Sequence, residues 1–158
     1  MPSPVTKSIE VPCTPAEAFR IFVADIGAWW PLQSHSISAG QGGTAQGVSF
    51  EPRTGGALTE IGPDGAAHLW GRILVYTPGE ALGFTWFVGR SEDEATRVNV
   101  TFTATEGGTK VTLVHSGWEV LGEAADAQRD GYDSGWVPVL DGYRTRCASP
   151  DAAAEAAG

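Results

Sequence analysis

The sequence predicts a single α+β domain. Three observations carry that prediction: a capped helix directly behind a first strand, a long run of alternating strands separated by glycine-containing turns, and a closing amphipathic segment at helical spacing. The first strand is read from "VTKSIEVPC", where Val5, Lys7, Ile9 and Val11 fall on one face at period two. "TPAEAFRIFV" then opens a helix. Thr14 is its N-cap, Pro15 its first helical residue and Glu17 the partner of a capping box. Phe19, Phe22, Val23 and Ile26 recur at i, i+3, i+4 and i+7, an apolar face that must pack on something.

Behind "IGAWWP" stands "SISAGQGGTAQG", with four glycines in twelve residues, expected to be an irregular loop and a flexible flap over one end of any cavity. Strands follow at Val48 to Glu51, Ala57 to Ile61, Leu69 to Thr77, Ala81 to Phe87, Thr96 to Thr105 and Thr109 to Ser116, with "RTGG", "PDG", "PGE" and "EGG" among the turns. The closing segment sets Ala125, Arg129, Tyr132, Trp136, Leu140 and Tyr143 at steps of three and four, a helix of about 28 Å that can lie across a curled sheet. Pro138 removes a hydrogen bond inside it, and Gly131 and Gly135 weaken it, so a kinked or two-part helix is expected. The domain is read as residues 1–148, and "SPDAAAEAAG" at 149–158, which has no large side chain to bury, as a disordered tail.

With 158 residues, 42% hydrophobic content and 18% charge, the chain is large enough for its own core. Cys13 and Cys147 lie near opposite ends in no metal or disulfide pattern, so a reduced, cytoplasmic protein is expected. No stretch is apolar enough for a membrane span. A net charge of −9, with lysines and arginines scattered, argues against nucleic acid as a partner.

Strand parity selects the inward side chains. Val111, Leu113 and His115 share the apolar face of the last strand; Leu82, Phe84 and Trp86 line up likewise, and Leu58 carries Glu60 with it. Two readings of His115 and Glu60 stand side by side. Either they are hydrogen-bonded core residues, or they are the polar spot of an apolar cavity that binds or transforms a small molecule. Trp29, Trp30, Trp70, Trp86, Trp118 and Trp136 supply ring surface enough for either.

Other motifs fail on context. "GQGGTA" has the letters of a dinucleotide turn, with Glu60 twenty positions beyond Gly40, but a strand follows where a helix is required. "HSG" is no nucleophile elbow. His35, His68 and His115 show no ligand spacing, so neither a metal nor another cofactor is expected.

In order and spacing, "VPCTPAEAFRIF", "IGAWWP", "VSFEPRTGG", "WGRILVYTPGEALGFTW", "GTKVTLVHSGWE" and "GWVPVL" resemble the homologues of the heat-shock-protein-90 ATPase activator, a branch of the START-like (SRPBCC) superfamily. The resemblance covers about residues 5–144. It implies a helix-grip fold, a curved antiparallel sheet wrapped around the long C-terminal helix with a cavity between them. Superfamily members bind lipids, sterols, polyketides and other apolar molecules, and some are cyclases, aromatases or hydrolases. The eukaryotic chaperone activators carry a separate N-terminal domain for which this chain has no room, so chaperone binding is not expected of it.

The resulting expectation is a protein that binds an apolar small molecule in a pocket lined by Glu60, Phe84, Trp86, Leu113 and His115, with Trp118, Tyr132 and Trp136 from the C-terminal segment. Alternatives are a cyclase or hydrolase using His115 or Glu60 as acid or base, and a chaperone-associated interaction module. A homodimer is left open.

Overall fold

The computed structural model describes residues 3–32, 35, 42–43, 45–88 and 90–148. The expected flap lies largely, and the expected tail wholly, outside the described residues. The chain order is β1 (Val5–Val11), α1 (Pro15–Ala24), α2 (Ile26–Trp29), β2 (Gly47–Phe50), β3 (Ala57–Ile61), β4 (Ala67–Thr77), β5 (Ala81–Trp86), a 3-10 turn (Glu92–Glu94), β6 (Thr96–Thr105), β7 (Gly108–Ser116), a 3-10 stretch (Trp118–Ala124) and α3 (Ala125–Cys147).

All seven strands form one antiparallel sheet in the order β1-β7-β6-β5-β4-β3-β2. The meander pairs each strand with its predecessor, as short turns dictate. β1 closes the far edge by pairing with β7, setting Val5 opposite His115 and Ile9 opposite Val111. Right-handed twist curls such a sheet into a half-barrel, and its concave face receives α3, the helix-grip arrangement.

The concave face is where parity placed the apolar side chains. Leu82, Phe84, Trp86, Val98, Val100, Phe102, Val111 and Leu113 are all buried, as are Glu60 and His115. Thr14 caps α1 by accepting the Glu17 backbone N–H at 3.2 Å, and its hydroxyl donates to the Glu17 carboxylate. Phe19, Phe22 and Val23 turn inward from α1; Ile26 does so from α2, because the helix breaks at Asp25. Each such side chain contributes roughly 1.5–3 kcal/mol on burial. Phe22 meets Phe102 and Tyr143 edge-on, joining α1, the sheet and α3.

α3 runs uninterrupted through Pro138 and is not divided into two parts. The conformational break falls upstream at Gly122, whose φ of 57° and ψ of −123° no helix accommodates. Packing outweighs the missing hydrogen bond at Pro138: Trp136, Val139, Leu140, Tyr143 and Cys147 are buried on both sides of it. Tyr143 donates its hydroxyl to the Ala18 carbonyl at 2.7 Å, and Arg146 pairs with Asp25 at 3.2 Å. These contacts seat the C-terminal half of α3 on α1 and α2. The N-terminal half is tied to β1 by the Lys7–Asp133 ion pair at 2.9 Å, and the candidate site lies beside it.

Candidate functional site

A cleft of about 360 Å³ opens between α3 and the concave face of the sheet. Its wall is made by Trp30 and His35 from the segment after α2, by Trp86 and Val88 from the end of β5, and by one side of α3. On the helix the lining includes Ala127, Gly131, Gly135 and Val139, spaced four apart and therefore on one stripe, with Tyr132 and Trp136 beside them. Small residues on that stripe create the space. A β-carbon added at Gly131 or Gly135 would meet nothing within 4 Å. Ala127 and Gly131 are exposed, so the cleft reaches solvent past the first turns of α3.

Four aromatic rings of the lining pack against one another. Trp30 lies 5.8 Å from both Trp86 and Trp136, and Trp86 lies 5.4 Å from Trp136 and 6.2 Å from Tyr132, centroid to centroid. Trp70, fully buried, backs Trp30 and Trp86. Trp30 is fixed by its indole N–H, which donates to the His35 carbonyl at 2.6 Å. Trp86 differs. Its Nε1 is buried and has no hydrogen-bond acceptor among the described residues. Burial raises the Tyr132 phenol above its ordinary range, an effect partly offset by the Trp86 N–H and by the Arg90 cation.

The eight residues expected to form the pocket separate into two groups. Trp86, Tyr132 and Trp136 line the cleft. Glu60, Phe84, Leu113, His115 and Trp118 are at most 1% exposed and lie behind the wall. Trp118, Trp86 and Tyr132 border a neighbouring recess of about 10 Å³, room for little more than one water. Parity correctly sent these side chains inward, but facing inward does not decide between meeting a void and meeting a neighbour. Trp30, His35 and the glycine stripe had no periodic signal that could mark them as lining, because α2 is too short to show a face and glycine reads only as a helix weakener.

His115 is held on every side. Thr96 Oγ1 lies 2.6 Å from its Nε2, Trp136 donates its indole N–H to Nδ1 at 3.1 Å, and the Thr96 hydroxyl donates to the Trp86 carbonyl at 3.1 Å. An indole can only donate, so Nδ1 is the acceptor and Nε2 carries the proton given to Thr96. The motif "HSGW" completes the enclosure. Gly117, at φ 83°, turns the chain back so that Trp118 stacks on the imidazole at 4.1 Å and donates its N–H to the His115 carbonyl at 3.0 Å. Desolvation pulls the imidazole down to about 3, so it is neutral at neutral pH. Glu60 is likewise engaged: its Oε1 accepts the Trp70 indole N–H at 2.9 Å. Both polar residues therefore orient tryptophans of the wall and its backing. Among the described residues, no group of three or more His, Cys, Asp or Glu could hold a metal ion, and no helix is long and apolar enough to cross a membrane.

A family model described as "Activator of Hsp90 ATPase homolog 1-like protein" matches residues 12–142. Among curated proteins no relative matches the chain. Several solved structures do. A protein from Nitrosomonas europaea is 16% identical with a TM-score of 0.65, over 90% of this chain and 92% of its own. One from Chromobacterium violaceum is 19% identical with a TM-score of 0.65, over 91% and 96%. The anthrahydroquino-gamma-pyrone synthase Txn09, solved in complex with a molecule designated SUM, is 29% identical with a TM-score of 0.63, over 92% and 99%.

Proposed function

The chain belongs to the Activator of Hsp90 ATPase homolog 1-like family of START-like folds, and from that premise we propose that it binds a flat, largely aromatic small molecule in the cleft beneath α3. The observation that carries the proposal is the contiguous aromatic set of Trp30, Trp86, Tyr132 and Trp136 in the lining of a cleft of about 360 Å³. That volume falls within the ordinary range of small-molecule sites, and the lining has their character, apolar and aromatic with few polar groups.

Titration of tryptophan fluorescence with tricyclic hydroxyquinones and with the parent hydrocarbons of the same shape tests this. Saturable quenching at micromolar concentration is expected for members of these series. Absence of saturable quenching by any member of either series refutes the reading.

A second reading, an enzyme on the same cleft, is favoured by the similarity to a synthase at 29% identity. His115 and Glu60 are unsuited to it, being enclosed behind the wall. The titratable groups that border the cleft are Tyr132 and His35, so turnover would depend on them, and product formation by a Tyr132→Phe variant at the wild-type rate would exclude Tyr132 from the chemistry.

A further inference from the structure

The lining of the cleft changes character along α3. At the N-terminal end Ala127 and Gly131 are exposed, while Gln128 and Tyr132 are partly buried. Farther along, Trp136 and Val139 are each only 2% exposed. From Ala127 to Val139 the wall covers ~18 Å of helix. One end of this wall is therefore a mouth, and the other is closed.

The polar groups follow the same gradient. Trp30 gives its indole N–H to the His35 carbonyl and Trp136 gives its own to His115, while that of Trp86 is buried, so none of these donors is offered to the cleft. On α3 that leaves Gln128 and Tyr132, one turn apart on the same face, both of which line the cleft and the neighbouring recess. The Gln128 amide carries both a carbonyl acceptor and an NH2 donor, and no hydrogen bond joins it to any described residue.

We propose that Gln128 fixes the direction in which a ligand lies in the cleft: its amide holds a hydroxyl or carbonyl oxygen at the mouth, and the unsubstituted end of the aromatic frame lies against Trp136 and Val139. The proposal rests on the cleft being a ligand site, and it narrows the ligand to flat, elongated aromatics with oxygen at one end. Oxygen at both ends would press a polar group against Trp136 and Val139, where α3 offers it no partner, and an unpaired buried hydroxyl is strongly disfavoured. The ligand enters apolar end first, because the closed end is filled through the mouth.

Fluorene, 2-hydroxyfluorene and 2,7-dihydroxyfluorene share one flat frame and test this in chemical-shift titrations of the wild type and of Gln128→Leu. The substitution should weaken 2-hydroxyfluorene by about fivefold or more relative to its effect on fluorene, a comparison that removes any general change in the cleft. The wild type should bind the diol about tenfold more weakly than the mono-ol. In the wild-type complex, which needs no variant, nuclear Overhauser contacts should join the hydroxylated ring of 2-hydroxyfluorene to the Gln128 side-chain amide and the other ring to Trp136 or Val139. If the three compounds bind but the contacts run the opposite way, if the hydroxylated ring lies at His35, or if Gln128→Leu affects fluorene and 2-hydroxyfluorene equally, the orientation is overturned while ligand binding in the cleft stands. Binding of none of the three to the wild type overturns the ligand site itself, and this orientation with it.

Discussion

Trp136 donates its indole N–H to Nδ1 of His115 at 3.1 Å, so a residue of the cleft wall is aimed by a histidine that never touches the cleft. Through Thr96 the same imidazole is linked to the backbone of Trp86, another residue of the wall. Two adjacent residues of the wall share one buried ring.

Replacement of His115 by phenylalanine fills similar space but offers no acceptor to Trp136 and no donor to Thr96. The Trp136 N–H would then be buried without a partner, and a loss of roughly 1–3 kcal/mol in unfolding free energy is expected, read from urea melts. Had His115 bordered open space, the change would have been nearly free. An unchanged midpoint would show that the histidine is not part of the support.

The same residue makes stability depend on pH. Its folded pKa is about 3, below the ordinary 6.5, so as pH falls the unfolded chain takes up the proton first. Stability is complete above about 6.5 and is lost progressively toward 3, at roughly 1 kcal/mol per pH unit. The wild-type midpoint should therefore fall between neutral pH and about pH 5, before most carboxylates titrate, and the fall should be smaller in His115→Phe. Parallel curves for the two proteins would disprove the assignment.

Much of the fold was legible because two periodicities are strong signals. Parity along "LVHS" and "ALGFTW" put His115 and Trp86 on the buried face, and the capping residues Thr14 and Glu17 marked the start of α1. The site was legible only in part. Whether an inward side chain lines a void depends on how far two elements stand apart, which for α3 is set by side chains distant in sequence: Tyr143 on Ala18 at one end and the glycine stripe at the other. Pro138 was misleading for the same reason, since tertiary packing holds the helix together across it.

The glycines of α3 should respond oppositely to alanine. At Gly142 a β-carbon would sit 2.6 Å from the Trp29 carbonyl oxygen, a backbone atom with little freedom to yield, so Gly142→Ala should push α3 away from α2 and destabilise by ~1–3 kcal/mol. At Gly135 the added carbon has open space, and the gain in helix propensity, up to ~1 kcal/mol, should appear as a higher melting temperature. Similar shifts from both variants would mean that α3 is not seated against α2 as described.

Gly135 also separates the requirements of folding from those of binding. It lies on the cleft stripe between Gly131 and Val139, so a leucine there projects into the space that a ligand would occupy while leaving the core contacts of Trp136, Leu140 and Tyr143 in place. Gly135→Leu should therefore melt at or above the wild-type temperature, since leucine is the better helix former and its side chain covers apolar ring surface. Its affinity for any aromatic compound that quenches the wild-type tryptophans should fall by at least about tenfold, the equivalent of ~1.4 kcal/mol. Gly131→Ala, a single methyl on the same stripe, should show a smaller loss in the same direction. If Gly135→Leu binds as tightly as the wild type while remaining folded, the ligand does not occupy the cleft and the functional assignment to this space fails.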